Sequence, residues 1–256
     1  MRSRRSGTIW PRGFELPRET PTGRLSTREV FPPRVALARG RRAIGVAAFA
    51  LAAFAILFAA VKRQRSDALD RRVTLAVQRN KQPWLRRLMR AVSWPGFAPA
   101  SLVIPPSLVA VWLAFGFPLE AAFLLAGWGT AFISFMVKRA MRRPRPHPEL
   151  VRVSPARLGD TSFPSGHVLN YVGVYGSFGY LAATLIRPDL ARRPIVTLCA
   201  ALIALVGPSR IYLGHHWLTD VAASYLLGLS YLLGLTALYR RAKIRLLAPA
   251  TRRSPD

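Results

Sequence analysis

The run Ala43–Val61, AIGVAAFALAAFAILFAAV, carries no charge over nineteen residues and stops at Lys62-Arg63. At about 1.5 Å of rise per residue, a helix of that length crosses a hydrocarbon core of about 30 Å. Residues 1–42, ahead of it, hold eleven arginines, five prolines and no long apolar run. They read as a disordered basic tail on the cytoplasmic side. A cleaved signal peptide is not expected, because the first long apolar stretch begins only at Ala43.

Downstream, five more spans are expected near 98–118, 120–141, 167–187, 194–213 and 217–239, followed by a basic tail at 241–256. The chain therefore reads as one all-α, polytopic membrane bundle over residues 43–240, with about six transmembrane helices. Pro105-Pro106 should kink the second span, which membrane helices tolerate. Residues 64–97 differ from the rest. Pro83 opens a segment with Trp84, Leu85, Leu88, Met89 and Val92 on one helical face and Arg86, Arg87 and Arg90 on the other, and Trp94-Pro95-Gly96 stops it. Two readings stand side by side: a helix lying in the membrane interface, or a solvated helix packed on the protein. The stretch with Leu69, Val73, Ala76 and Val77 reads as a similar helix.

Composition agrees. The 256 residues are 51% hydrophobic yet carry a net charge of +27, a pairing that suits a polytopic membrane protein with basic flanks. The pI near 11.9 does not indicate a nucleic-acid partner, because the arginines sit at the edges of apolar runs and form no separate basic module. Cys199 lies inside an apolar segment and reads as a buried small side chain. Six crossings put both tails on one side and the motifs described next on the other. The tails and the Arg187–Arg193 loop hold twenty of the 38 basic residues, a small excess that places the tails in the cytoplasm and the motifs outside the inner membrane.

Three strings carry chemistry. In the first, Lys138 closes an apolar helix, and Arg143 and Arg145 each precede a proline. The helix should end near Arg142, with Arg145 presented from a stiff turn where it can hold a phosphate bidentately. In the second, Pro164-Ser165-Gly166-His167, a loop enters a helix. Ser165 is a natural N-cap, Gly166 admits close approach, and the helix start is an anion site with His167 beside it. In the third, Ser209-Arg210-x5-His216-x3-Asp220, His216 and Asp220 are spaced to share a helical face. A carboxylate on one imidazole nitrogen leaves the other basic and nucleophilic. Asp220 is the only acid between Asp189 and the C-terminal residue, and a charge so placed needs a partner or a function. His147, between prolines, reads as a surface residue, and His215 as off the face of Asp220. No carboxylate cluster suggests a metal.

Taken together, the strings resemble the signature of the type 2 phosphatidic acid phosphatase superfamily: Lys-x6-Arg-Pro, Pro-Ser-Gly-His, and Ser-Arg-x5-His-x3-Asp. The resemblance covers residues 43–240 and leaves the Arg-rich N-terminal tail without an account. It implies a phosphatase of membrane lipids that needs no cofactor or metal. It implies that His216 attacks phosphorus, Asp220 orients His216, and His167 protonates the leaving oxygen. Lys138, Arg145, Ser165, Gly166 and Arg210 would hold the phosphoryl oxygens. Expected substrates are of the undecaprenyl pyrophosphate, phosphatidate or phosphatidylglycerol phosphate type. Two other readings remain open: a lipid phosphotransferase using the same site, and a non-catalytic membrane scaffold or transporter. The sequence carries no reading of oligomeric state.

Overall fold

The structure, a computed structural model, describes residues 33–186 and 189–247; the expected tails beyond them, at 1–32 and 248–256, lie outside the described residues. The described residues form ten α-helices: α1 Pro33–Lys62, α2 Asp67–Val77, α3 Pro83–Ser93, α4 Ala100–Ala114, α5 Pro118–Trp128, α6 Thr130–Met141, α7 Gly166–Asn170, α8 Gly176–Leu185, α9 Asp189–Tyr212 and α10 Leu218–Leu247. A turn of π-helix at Tyr171–Tyr175 joins α7 to α8 in one continuous rod. The all-α membrane bundle expected from the sequence is the fold observed.

Its first helix starts earlier than expected. Residues 33–42 are helical rather than part of an irregular tail, because Val35, Ala36, Leu37, Ala38 and the arginines among them all suit a helix. Among the described residues, four helices are long and apolar enough to cross a membrane: Arg42–Lys62, Pro118–Met141, Asp189–Tyr212 and Leu218–Leu246. A fifth arises if Pro83–Gly96 and Ala100–Ala114, bent by 57°, count as one span. The bend falls at Trp94–Pro99, ahead of Pro105-Pro106, which lie within α4. The sixth expected span is the α7–α8 rod. It is rich in Gly, Ser, Asn and Tyr because protein surrounds it: Val168, Tyr171, Leu181 and Ala182 are inaccessible. A helix enclosed by its neighbours has no need of an apolar coat. There Gly173 lies so close to α5 that a Cβ would come within 2.2 Å of the Gly127 carbonyl oxygen.

The α3 alternatives merge. Met89, Val92 and Ser93 are buried against α9, whereas Trp84, Leu88 and Trp94 stay exposed. The helix packs on the protein and also presents an aromatic-rich edge outward, as interfacial segments do.

Two devices fix the chain at the motif end of the bundle. Gln78, at the end of α2, uses its carboxamide on three backbone groups: it donates to the carbonyls of Arg152 (2.7 Å) and Tyr212 (3.1 Å) and accepts from the Arg152 N–H (2.9 Å). The long 142–165 connection is thereby tied to α2 and α9. Gly214 turns the chain after α9 with φ +71°, and a Cβ there would lie 2.1 Å from the Arg152 carbonyl oxygen. Glycine is needed there for both conformation and space.

Candidate active site

Motif residues far apart in the chain, from Lys138 to Asp220, meet where α6, α7, α9 and α10 have one end. α6 stops at Met141, and Arg142 caps it in the left-handed region with φ 50°. The chain then runs extended beside Thr161–Ser162, with the Ser162 N–H donating to the Arg143 carbonyl at 2.8 Å. This pairing brings the first and second motifs together. Lys138 donates to the Thr161 carbonyl at 2.8 Å.

Ser165 occupies the N-cap position of α7 but does not cap through its side chain. Its N–H donates to Ser224 Oγ at 2.7 Å, and that hydroxyl donates to the Asp220 carbonyl at 2.6 Å. The Ser165 hydroxyl is left without a protein partner, although it is fully buried. Gly166 follows, and a Cβ there would meet only Ser134 Oγ, at 3.3 Å. His167 comes next, its ring edge-on to Phe97 with centroids 4.4 Å apart. Space for that ring depends on Gly96, where a Cβ would lie 2.2 Å from His167 Cδ2.

Arg210, at the end of α9, is inaccessible. Its Nη1 donates to Ser93 Oγ, and its guanidinium lies over the Phe97 ring at 4.9 Å. Among the buried atoms of this cluster that find no protein partner are Ser165 Oγ, His167 Nε2, and Arg210 Nε and Nη2. Buried polar atoms are normally paired. A tetrahedral anion suits this set, because it accepts from the guanidinium and the hydroxyl while leaving an oxygen to face the imidazole.

His216 and Asp220 meet as expected, though not as successive turns of one helix. His216 sits in the turn before α10, which starts at Leu218. Asp220, third residue of that helix, reaches back and accepts the Trp217 N–H at 2.9 Å, the backbone half of a capping box. Its Oδ2 then lies 3.6 Å from His216 Nδ1. On the far side of the ring, Arg145 Nη1 is 3.2 Å from His216 Nε2 and 2.7 Å from the His215 carbonyl oxygen. Arginine only donates, so the Arg145 contact favours the tautomer with its lone pair on Nε2 and its proton on Nδ1, toward Asp220 but too far from it for a hydrogen bond. Burial, helped by Arg210, Arg145 and Lys138, holds the His216 imidazole well below the ordinary histidine range. It is therefore neutral at pH 7, with its basic nitrogen aimed at the cations.

The two other histidines separate. His215 directs Nε2 at the Ser154 carbonyl oxygen (2.8 Å), away from Asp220. Burial, followed by Arg210, lowers it to about 4. His147 is exposed beside Glu149.

The sequence reading treated Arg143 only as a helix terminator. It is 8% exposed, and its Nη1 bonds Asp220 Oδ1 (2.8 Å) and Thr219 Oγ1 (2.8 Å). Its Nη2 bonds Asp70 Oδ2 (2.7 Å), Asp67 Oδ1 (3.0 Å) and Ser66 Oγ (3.3 Å). Asp70, fully buried on α2, also accepts from the Thr219 N–H and hydroxyl. Burial pulls against the charge on Arg143, but the Asp220 and Asp70 carboxylates outweigh it and the guanidinium is held more firmly protonated than usual. Asp67 and Asp70, on an amphipathic helix downstream of a membrane span, were the only signal available. Among the described residues, no three His, Cys, Asp or Glu side chains form a metal-binding group.

A membrane helical bundle with a histidine–aspartate pair set among clustered cations is the class that fold and geometry define. The chain belongs to the PAP2 superfamily, which it matches over residues 117–244. It is 32% identical over 182 residues to phosphatidylglycerophosphatase B of Bacillus subtilis (strain 168), covering 69% of this chain and 86% of that protein. It also resembles the crystal structure of a transmembrane PAP2-type phosphatidylglycerolphosphate phosphatase from Bacillus subtilis. That likeness has a TM-score of 0.66 and 25% identity, and covers 76% of this chain and 96% of the other.

Removing Arg143 strands two buried carboxylates. Arg143→Ala should lower the unfolding free energy in detergent by about 3–5 kcal/mol, and adding Asp70→Asn should recover part of the loss. A double-mutant cycle with no coupling between the two positions would refute the buried network.

Proposed function

We propose that the chain is a lipid phosphatase that works through a phosphohistidine on His216. The observation that carries this reading is the position of His216 Nε2, 3.2 Å from the Arg145 guanidinium, with Asp220 behind the opposite nitrogen at 3.6 Å. A nucleophile so placed meets a phosphoryl group held by the same cations that polarise it.

In the first step Nε2 attacks phosphorus and the bond from phosphorus to the lipid oxygen breaks. His167 gives that oxygen its proton. Arg145, Arg210, Lys138, the Ser165 hydroxyl and the Gly166 N–H hold the three equatorial oxygens as charge spreads over them. Asp220 balances the positive charge that forms on His216. In the second step His167, now neutral, takes a proton from water as that water attacks phosphorus. Inorganic phosphate leaves and His216 is restored. The chemistry supplied by the donor set is positioning and charge, with no carboxylate group suited to a divalent ion. The substrate is a lipid phosphate of the phosphatidylglycerophosphate, phosphatidate or polyprenyl diphosphate type; the names of both relatives favour the first. The site faces the outside of the inner membrane, with the tails in the cytoplasm, as the basic tail residues favour.

Turnover on a panel of these lipids, scored by release of inorganic phosphate, tests the reading directly. His216→Ala should lower turnover by about four orders of magnitude or more, because a nucleophile acts as part of a unit, and should abolish the acid-labile phosphoenzyme in rapid quench. His215→Ala should retain most activity. His167→Ala should still be phosphorylated by a substrate with a good leaving group. Loss of the phosphoenzyme in His215→Ala but not in His216→Ala would overturn the assignment.

Activity should survive a strong chelator and be blocked by vanadate, which mimics the five-coordinate phosphoryl group. Inactivation by chelator that Mg²⁺ reverses would refute the metal-independent mechanism.

Orientation is tested by single cysteines in a Cys199→Ser background. A cysteine replacing Arg157 should react with an impermeant thiol reagent in intact cells, and one replacing Thr20 should not. The opposite pattern would invert the topology and leave the chemistry standing.

A further inference from the structure

A cavity of about 610 Å³ opens beside the histidine site on the same end of the bundle. Its walls come from the end of α1, the start of α2, the end of α6 and the turn after it. Lys62, Arg71, Arg142, Arg143, Arg145 and His147 line it, with Asp67 as the one acid. Asp67 is already engaged by Arg143 at 3.0 Å. The side chains of Lys62, Arg71 and Arg142, by contrast, are exposed and make no hydrogen bond or ion pair among the described residues. Three uncompensated cations therefore converge on one concave space.

The backbone is held in an unusual form at the same place. Gln64 and Arg142, with φ 57° and 50°, are the two non-glycine residues with positive φ among the described residues, and both line this cavity. Such conformations persist where the surroundings enforce them, and they gather at ligand sites. At Arg142 the left-handed turn sends Arg142 to the cavity, while Arg143 bonds Asp220 and Arg145 approaches His216. Arg145 is common to both spaces, and Trp217, next to His216, forms part of the wall.

Resting on the lipid phosphatase reading above, we infer that this cavity is an anion subsite for a phosphate group other than the one being cleaved. The preferred ligand class is a lipid whose second phosphate lies a few bonds from the scissile one, as a phosphodiester or a diphosphate. Arg145 would stand between the two phosphates. The exposed apolar side chains of α1 and α6 below the rim, among them Ile56, Phe132 and Phe135, give the attached chains a lipid-facing path. The same recognition chemistry also fits the headgroup of a neighbouring anionic lipid, and the test separates these two sources.

The probes are two non-hydrolysable short-chain lipids: a phosphatidylglycerol ending in a phosphonate, with two phosphorus groups, and a diacylglycerol phosphonate, with one. Binding to the full-length protein is measured by calorimetry in neutral detergent, and in the same detergent with phosphatidylglycerol added. The variants are Arg71→Gln/Arg142→Asn, chosen because Asn tolerates the left-handed turn, and Lys62→Gln as a second, independent change. Wild type should bind the two-phosphorus probe more tightly, and the double variant should lose about five- to tenfold of that affinity, as two exposed charge pairs imply. Its affinity for the one-phosphorus probe should not change. If neighbouring headgroups are the source, the two probes bind alike in neutral detergent, and added phosphatidylglycerol raises the thermal midpoint of wild type but not of the variants. Unchanged affinities for both probes together with an unchanged response to phosphatidylglycerol overturn the subsite. Failure of the phosphatase reading shows separately, as no phosphate release by wild type from any lipid of the panel.

Discussion

One buried arginine ties the site to the fold. Arg143 is taken out of water between Asp70 of α2 and Asp220 of α10. Removing ions from water is expensive, and only close partners and complete hydrogen bonding offset it. Arg143 meets that condition with five partners from two segments. The consequence for chemistry is electrostatic. Arg143 balances the Asp220 carboxylate from the side away from the imidazole. With that charge balanced, the remaining cations, Lys138, Arg145 and Arg210, are left in excess around His216. A low-dielectric pocket with excess positive charge suits an anion, and on the proposed reading these three cations would face the charge that spreads over the phosphoryl oxygens.

Much of this could be read from the sequence because membrane spans and short motifs are local signals. The uncharged run at Ala43–Val61, the end of α6 at Met141, and the meeting of His216 with Asp220 all follow from neighbours in the chain. Even there the local physics differed. The spacing of four brings His216 to Asp220 through a helix-start cap, with His216 outside the helix. What stayed hidden was long-range. Asp70 meets Thr219 across 149 positions, and Gln78 meets Tyr212 across 134. A charged residue on an amphipathic helix looks solvated until its partner is known.

The opposite end of the bundle shows what a buried charge does when no ligand is involved. Glu120, fully buried on α5, accepts from Tyr239 (2.9 Å) and Lys243 (3.0 Å) of α10, and the Lys243 ammonium also bonds the Tyr239 hydroxyl. In that cluster both cationic and acidic members find each other, and the aromatic rings of Phe123 and Tyr180 close around it. It fastens α10 to α5. One acceptor there, Glu120 Oε2, has no hydrogen-bond partner, whereas at the motif end Arg210 by itself keeps two buried donor atoms unpaired.

α10 carries both clusters. Asp220 and Lys243 are 23 positions apart on one helix, about 35 Å at 1.5 Å per residue, close to the thickness of a bilayer's hydrocarbon core. Between them the helix reads VAASYLLGLSYLLGLTALYRRA, without a charge until Arg240. Anchored at each end by ion pairs, the helix fixes the depth of Asp220 and hence of His216 at one border of the membrane. The depth matters energetically. A phosphate dianion drawn into hydrocarbon would lose its hydration to no benefit, whereas on the proposed reading it would, at the border, exchange water for Arg145, Arg210 and Lys138 while its chains remained in lipid. The same α10 length that spans a bilayer thus sets the level of His216 where a lipid's head, and not its tail, would meet it.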